Sequence, residues 1–218
     1  MAVLEMPSSG VGQQRFEVDR VDFQSPTTGG RTGNVTAGFP RWVAEYTLGR
    51  NSETMSDQWR AFVKRLRGGQ RTFFGRDVNR PYPRAYLNGF SGLTRAGGGS
   101  FDGSATSWSL DGTRTMLTLN GLPAGFVVGF NDYGDFRWSV GFEKRALIAF
   151  VTAGAANGSG VLTLEVDPPV PTLVAGGVTF SFDRPACLMK MTPEAHLGAI
   201  DRRKSVEGSL IARSELVA

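Results

Sequence analysis

Apolar and polar residues alternate with a period of two along most of this chain, which is the pattern of half-buried β-strands. The alternation is clear at Phe16 and Val18 and again over residues 42–48. Further strands are predicted at 72–74, 107–110, 115–119, 135–142, 145–152, 161–166, 178–182, 186–191 and 205–212. Turn residues at 111–112 and 155–160 separate some of them. This spacing favours antiparallel sandwiches or small barrels over a parallel sheet.

One segment has helical periodicity instead. Its apolar residues fall on a single stripe, which consists of Met55, Trp59, Phe62, Val63 and Leu66. Ser52 and Thr54 are alternative N-cap residues, and the two glycines that follow the stripe favour the end of a helix there. The sequence therefore predicts one amphipathic helix over about residues 53–67, packed on a sheet.

The composition changes at two places, and these changes predict the domain organisation. Residues 88–104 are rich in Gly and Ser, and residues 167–171 form a stiff Pro-rich turn. The fold class is mainly β, with a discontinuous β-sandwich domain formed by residues 1–85 and 186–218 that carries the helix. A smaller β-barrel domain is inserted at 86–185. Because Gly-rich segments bring little apolar area, we expect few contacts between the two domains and an exposed loop around Arg95.

Several classes of chemistry are nearly excluded by composition. Cys187 and His196 are the single cysteine and the single histidine among 218 residues, so disulfides, metal sites and histidine catalysis lack their groups. No apolar run approaches the length of a membrane span, which is about 18 residues. We therefore expect a protein that is not an enzyme, with no catalytic residue, cofactor, metal site or membrane insertion.

Two further candidates for chemistry have simpler explanations. The Gly-rich stretch 97–99 lacks the Gly-Lys-Ser/Thr that a phosphate-binding loop requires, so it is interpreted as a mobile surface loop. The aspartates of the inserted segment stand beside Gly or Asn and are interpreted as turn residues, which hydrogen-bond locally. They are Asp102, Asp111, Asp132 and Asp135.

The charge balance points to interfaces. The chain has 24 basic and 20 acidic residues, and the basic residues are 20 arginines and 4 lysines. Arginine suits interfacial ion pairs because its planar guanidinium binds carboxylates with two hydrogen bonds. The densest groups are 64–71 and 202–204. Nucleic-acid binding is less favoured, because stacking aromatics are not interleaved with these cations.

The order of motifs resembles the distal tail proteins of long-tailed bacteriophages and related gene transfer particles. Over residues 39–191 the motifs are FPRW at 39–42, the Trp59/Phe62 helix, LRGG at 66–69, RTFF at 71–74, Asp77, RPYP at 80–83, YGD at 133–135, KRAL at 144–147, GSG at 158–160, VDPP at 166–169 and RP at 184–185. Residues 1–38 and the loop 95–104 fit no pattern of that family.

The resemblance implies a ring, usually of six copies, at the tail tip of the virion. The sandwich forms the ring, and the inserted domain is an OB-like barrel that points outward. The ring joins the tail tube protein above to hub or baseplate proteins below, with DNA or tape-measure protein passing through the lumen, and it assembles in the cytoplasm of the bacterial host. Ring contacts are expected at the helix end and the following loop: Arg65, Arg67, Arg71, Arg76, Arg80 and Arg84.

An alternative function is carbohydrate binding for attachment to the host. Trp42 and Trp59 fit core positions, whereas Trp108 and Trp138 are candidates for stacking on sugars. Some members of the resembled family carry lectin-like insertions, so this function is an alternative or an additional role of the same protein.

Overall fold

The computed structural model describes residues 3–26, 32–200 and 206–215, which are mainly β with one α-helix, α1 (Glu53–Leu66). This confirms the predicted class. The strands are β1 (Leu4–Glu5), β2 (Val11–Pro26), β3 (Thr32–Leu48), β4 (Thr72–Gly75), β5 (Ser107–Leu110), β6 (Met116–Asn120), β7 (Val127–Val128), β8 (Tyr133–Val140), β9 (Phe142–Phe150), β10 (Gly154–Ala155), β11 (Leu162–Asp167), β12 (Thr179–Ser181), β13 (Cys187–Met191), β14 (His196–Ile200) and β15 (Val206–Ser214).

The first sheet combines strands from the two ends of the chain. Its order is β1-β4-β13-β15-β3-β2, and β14 also pairs with β15. All pairs are antiparallel except β1 with β4. The long strands β2 and β3 form a hairpin whose pairing extends from Val11 opposite Leu48 to Pro26 opposite Thr32.

Local sequence explains where α1 begins and ends. The Ser52 hydroxyl accepts the Met55 N–H at 3.3 Å, which satisfies one of the free donors of the first turn. After Leu66 the chain turns through Arg67, whose φ of 51° is left-handed and whose N–H donates to Lys64. The stripe of Trp59, Phe62 and Leu66 is buried against the first sheet, as predicted.

A glycine allows the end of the helix to approach the sheet. A Cβ at Gly69 would lie 2.6 Å from the Met191 carbonyl oxygen, and its φ is +86°. Only glycine meets both requirements without strain. This close contact places the end of α1 beside the end of β13.

The second sheet consists entirely of the strands between residues 107 and 181. Its order is β12-β8-β9-β11-β6-β5, and it encloses an aromatic core that contains Phe101, Phe126, Phe136, Phe150, Phe180 and Phe182. Within these fully described residues no strand pairing joins β5 to β12, so the sheet does not close into a barrel, and the OB-like character of the inserted segment stays a prediction. The edges approach each other through single contacts, in which Ala105 donates to Phe180, Phe182 donates to Gly103, and the Trp108 indole donates to Val178.

The two sheets contact each other along β8 and β9. Tyr133, Leu147 and Ala149 belong to the same buried cluster as the helix stripe and the first sheet, whereas alternate residues of β8 and β9 enter the aromatic core. The Trp42 indole nitrogen donates to the Leu147 carbonyl at 2.9 Å. The expectation of few contacts between the two parts is therefore wrong. In the described part of the chain, strand pairing does not join the first sheet to the second, and the predicted domain boundaries stay a prediction.

Most predicted strands are present, with ends displaced by a few residues. By contrast, β2 and β3 extend well beyond the predicted segments, and the strands β1, β7, β10 and β14 are not among those that the sequence predicts. The charged group 202–204 lies outside the described residues.

Candidate assembly surface

The outer part of the β2–β3 hairpin is a two-stranded ribbon. On the first sheet, β15 pairs with β3 only from Val43 to Thr47, whereas β2 and β3 continue to pair out to Pro26 and Thr32. We call residues 19–26 with 32–41 the ribbon. Its register shifts after Asp19, where Gly38 takes a φ of +78°. A ribbon of this kind is only marginally stable by itself, so it requires support from other surfaces.

The ribbon exposes large apolar side chains. Phe23 and Val35 lie opposite each other in the ladder and are 61% and 67% exposed, and Val21 is 55% exposed. Single exposed apolar residues are ordinary, but a cluster on one element marks an interaction surface. At its base the ribbon is held by an ion pair between Arg20 and Asp167, at the end of β11.

The first sheet also has a free edge on each side of its long strands. Among the described residues, β2 pairs only with β3, and β14 pairs only with β15. The free edge of β2 is 16 residues long, whereas protected edges in monomeric proteins are usually short or covered. In the order β2-β3-β15-β14 the two free edges face opposite directions.

The structure divides the six predicted contact arginines into two groups. Arg65 and Arg67 are exposed at the end of α1, and Arg71 is half-buried just before β4. These three form no ion pair or side-chain hydrogen bond with the described part of the chain. They therefore have free donors at one end of the helix.

Arg76, Arg80 and Arg84 instead lie where the two sheets meet. The Arg80 guanidinium donates to the Asn131 carbonyl at 2.6 Å and lies 5.9 Å from the centre of the Tyr133 ring. The Arg84 N–H donates to Asp132 at 3.1 Å, and Arg76 contacts Glu5 at 3.6 Å. These contacts lie within one chain, and whether the three arginines also contact a neighbouring copy stays a prediction.

A buried aspartate connects the sheets at the same junction. Asp135 in β8 accepts hydrogen bonds from Arg137 at 2.7 Å and from the Ala186 N–H at 3.0 Å. Burial raises the pKa of Asp135 to about 6, and the guanidinium groups of Arg137 and Arg145 oppose this effect. The interpretation of Asp135 as a turn residue is wrong. Asp102, Asp111 and Asp132 do accept local backbone N–H groups, as predicted.

The two candidate sugar-stacking residues lie partly inside the second sheet. Trp108 is half-buried, packs on Phe136 with ring centres 5.0 Å apart, and donates its indole N–H to Val178. Trp138 is half-buried and packs against the same aromatic core. Their contact with a glycan stays a prediction.

The Gly-rich loop is more ordered than its composition indicates. Arg95 donates to the carbonyls of Ser104 and Gly121 and to the Asp102 carboxylate, at 2.6–2.8 Å. The Ala96 N–H donates to Leu122 at 3.0 Å. The arginine therefore fixes the base of the loop to the second sheet, Gly98 and Gly99 are at the surface as expected, and the mobility of 97–99 stays a prediction.

Other features bear on the class of protein. In the described ranges no group of three His, Cys, Asp or Glu side chains is placed to hold a metal ion, and α1 is too short and too polar to cross a membrane. Cys187 is buried, and burial raises the pKa of its thiol.

A scan against protein-family models finds no match for this sequence, and a search of curated proteins finds no match either.

The exposed ribbon residues Phe23 and Val35 are not among the candidate residues that the sequence indicates. The stretch FEVDRVDFQ at 16–24 does carry a signal, because Val21 and Phe23 continue the alternation with its phase changed at Arg20. A β-bulge produces such a phase change, since one extra residue interrupts the ladder.

Proposed function

We propose that this protein is a structural subunit that assembles into a closed ring. The observation that carries the proposal is the pair of free edges on the first sheet, one at β2 and one at β14. Long unpaired edges with exposed apolar residues lead to uncontrolled association unless a partner covers them. A second copy of the same chain is a partner that covers both edges.

The arrangement of the edges favours a ring over a two-fold dimer. Because β2 and β14 lie on opposite sides of β3 and β15, β2 of one copy pairs with β14 of the next. Contacts of this head-to-tail kind produce rings when the rotation between copies closes. Pairing of this kind continues one sheet around the ring, and the ribbon extends from it.

The resemblance in motif order supports a specific setting for this ring. It is the tail tip of a long-tailed phage or a related particle, where six copies connect the tail tube to the hub or baseplate. In this proposal the second sheet corresponds to the outward-pointing OB-like domain, with its edges held by single contacts. DNA or tape-measure protein passes through the lumen and makes no specific contact.

The proposal is tested by native mass spectrometry and negative-stain imaging of the purified protein. We expect a closed ring with six-fold symmetry. The double variant Phe23→Lys with Val35→Lys should keep the melting temperature of the subunit, because both side chains are exposed. It should weaken the ring, because it places two charges on the edge strand β2 and on β3 beside it. A wild-type protein that is monomeric over the whole accessible concentration range contradicts the proposal.

A further inference from the structure

The helix α1 crosses the first sheet from one free edge towards the other. Near its start, the Asn51 side chain donates to the Gly10 carbonyl at 2.9 Å, just before β2. Near its end, Gly69 touches the Met191 carbonyl at the end of β13, and α1 also contacts β14. The start of the helix therefore lies on the β2 side, and its end lies on the β14 side.

The charges of α1 are segregated in the same direction. Its two acidic residues, Glu53 and Asp57, are exposed in its first half, although Arg50 is exposed just before it. The cations follow: half-buried Arg60, then exposed Lys64, Arg65 and Arg67 at its end, and half-buried Arg71 beyond it. Interaction with the helix dipole accounts for cations in the last turn, which are Lys64 and Arg65. It also favours the C-cap residue Arg67 but does not account for Arg71, and neither of these two arginines has an ionic partner among the described residues.

We infer that the basic end of α1 in one copy docks against the acidic start of α1 in the next copy. This inference rests on the proposed ring and adds the residues that select the neighbour. Head-to-tail joining of β14 to β2 brings the end of one helix towards the start of the following helix. The chain thus carries its own charge complement, which is why the occupant of the basic end is a second copy.

The contact gives the ring its direction as well as its affinity. Reversed joining, with two β14 edges together, would place basic helix ends side by side, and like charges in contact are unfavourable. Joining two β2 edges would leave the basic ends without an acidic partner. Only the head-to-tail arrangement pairs opposite charges at every interface.

Charge reversal at each end tests the inference. The double variant Arg65→Glu with Arg67→Glu and the double variant Glu53→Lys with Asp57→Lys should each weaken ring formation by roughly tenfold or more at 0.1 M salt. A mixture of equal amounts of the two variants should recover the ring. Native mass spectrometry should then find equal numbers of both chains in each ring, because only alternation pairs opposite charges.

A matched control separates the specific effect from a general change of charge. Arg67 and Arg184 are both exposed arginines with a positive φ, 51° and 45°, but Arg184 lies at the junction of the two sheets. Arg184→Glu should leave the ring intact, whereas Arg67→Glu should weaken it. Equal losses in the two single variants overturn the inference.

The remaining outcomes distinguish this inference from the proposed function. If every variant forms rings as well as the wild type, the ring stands and the helix contact is wrong. If only the basic-end variant fails and the mixture is not recovered, the basic end does not contact the acidic start of a neighbouring helix, and the inference is wrong. If a variant does not fold by circular dichroism, the salt dependence of the wild-type ring is the test instead. A ring whose stability does not change between 0.1 M and 1 M salt overturns the inference, because the Debye length of about 3 Å at 1 M salt would screen the charges of the contact.

Discussion

Among single residues, Trp59 does most to hold the helix on the sheet. It is fully buried, packs edge-on against Phe62 with ring centres 5.9 Å apart, and donates its indole N–H to the Ser9 carbonyl at 2.8 Å. It therefore connects α1 both to the core and to the chain that precedes β2.

Truncating this side chain should be costly. We expect Trp59→Ala to lower the free energy of unfolding by about 3–5 kcal/mol, because a large cavity replaces the indole. Urea denaturation measures this change, and Trp59→Phe, which keeps most of the ring volume, is the control. A loss below about 1 kcal/mol in the alanine variant would show that the stripe is not part of the core.

Asp135 should make stability depend on pH in an unusual direction for an acid. Its pKa in the folded protein, about 6, is above its ordinary value of 3.8, so the folded state holds a proton that the unfolded state releases. The contribution of this group is therefore complete below pH 3.8 and is lost as the pH rises through 6. The loss corresponds to about 3 kcal/mol.

The variant Asp135→Asn isolates this effect, because it removes the titration and keeps the shape of the side chain. Between pH 4 and pH 7 the free energy of unfolding of the wild type should fall relative to that of the variant. A difference between the two proteins that stays constant over this range would mean that the arginines keep Asp135 ionised throughout.

At the scale of elements, the loop 95–104 shows how one arginine can order a glycine-rich segment. The Arg95 guanidinium lies 5.1 Å from the centre of the Phe101 ring and donates to four oxygen acceptors, which belong to Asp102, Ser104 and Gly121. These contacts offset the backbone freedom of Gly97, Gly98 and Gly99.

Limited trypsin digestion should therefore not cut first after Arg95. The variant Asp102→Ala removes one acceptor and the local turn at Ser104, so it should speed cleavage at Arg95. Asp111→Ala, at a similar turn between β5 and β6, is the control and should not change that site. Mass spectrometry of the first fragments decides, and an initial wild-type cut at Arg95 would contradict the ordered loop.

At the scale of the whole molecule, the two sheets depend on each other. Tyr133 packs edge-on against both Phe16 and Trp42 of the first sheet, with ring centres 6.1 Å and 5.7 Å apart. Arg145 of β9 lies 4.2 Å from the centre of the Phe74 ring on the opposite face of the first sheet. The second sheet therefore covers parts of both faces.

Removing the second sheet should consequently unfold the first. Replacing residues 88–184 by a short Gly/Ser linker removes Tyr133, Leu147 and Ala149 from the shared cluster and leaves Trp42 exposed. We expect a protein without a cooperative unfolding transition by circular dichroism. A deletion variant that melts cooperatively and still forms rings would instead establish the independent domains that the composition predicts.

The sequence predicts what depends on local interactions. The stripe of α1, its Ser52 cap and its glycine stop lie within one short segment, so periodicity and capping rules suffice. Apart from the two-residue strands β7 and β10, the short strands from β5 to β13 are marked by alternation and by turn residues close in sequence.

The rest depends on contacts between distant segments. Asp135 stands beside Gly134, as a turn aspartate does, and only its partners Arg137 and Ala186 show that it is buried in a strand. The openness of the second sheet follows from how β5 and β12 approach each other, which alternation does not encode. The ribbon escapes prediction because its apolar residues are exposed and a bulge interrupts their phase.

The position of Trp42 has a mechanical consequence. This residue lies at the base of the ribbon, stacks on Phe16 of β2 with ring centres 5.2 Å apart, and is hydrogen-bonded to β9 of the second sheet. A force on the second sheet is therefore transmitted through the stacked rings of Trp42 and Phe16 to the free edge of β2. The second sheet thus acts as a lever arm that sets the angle of that edge.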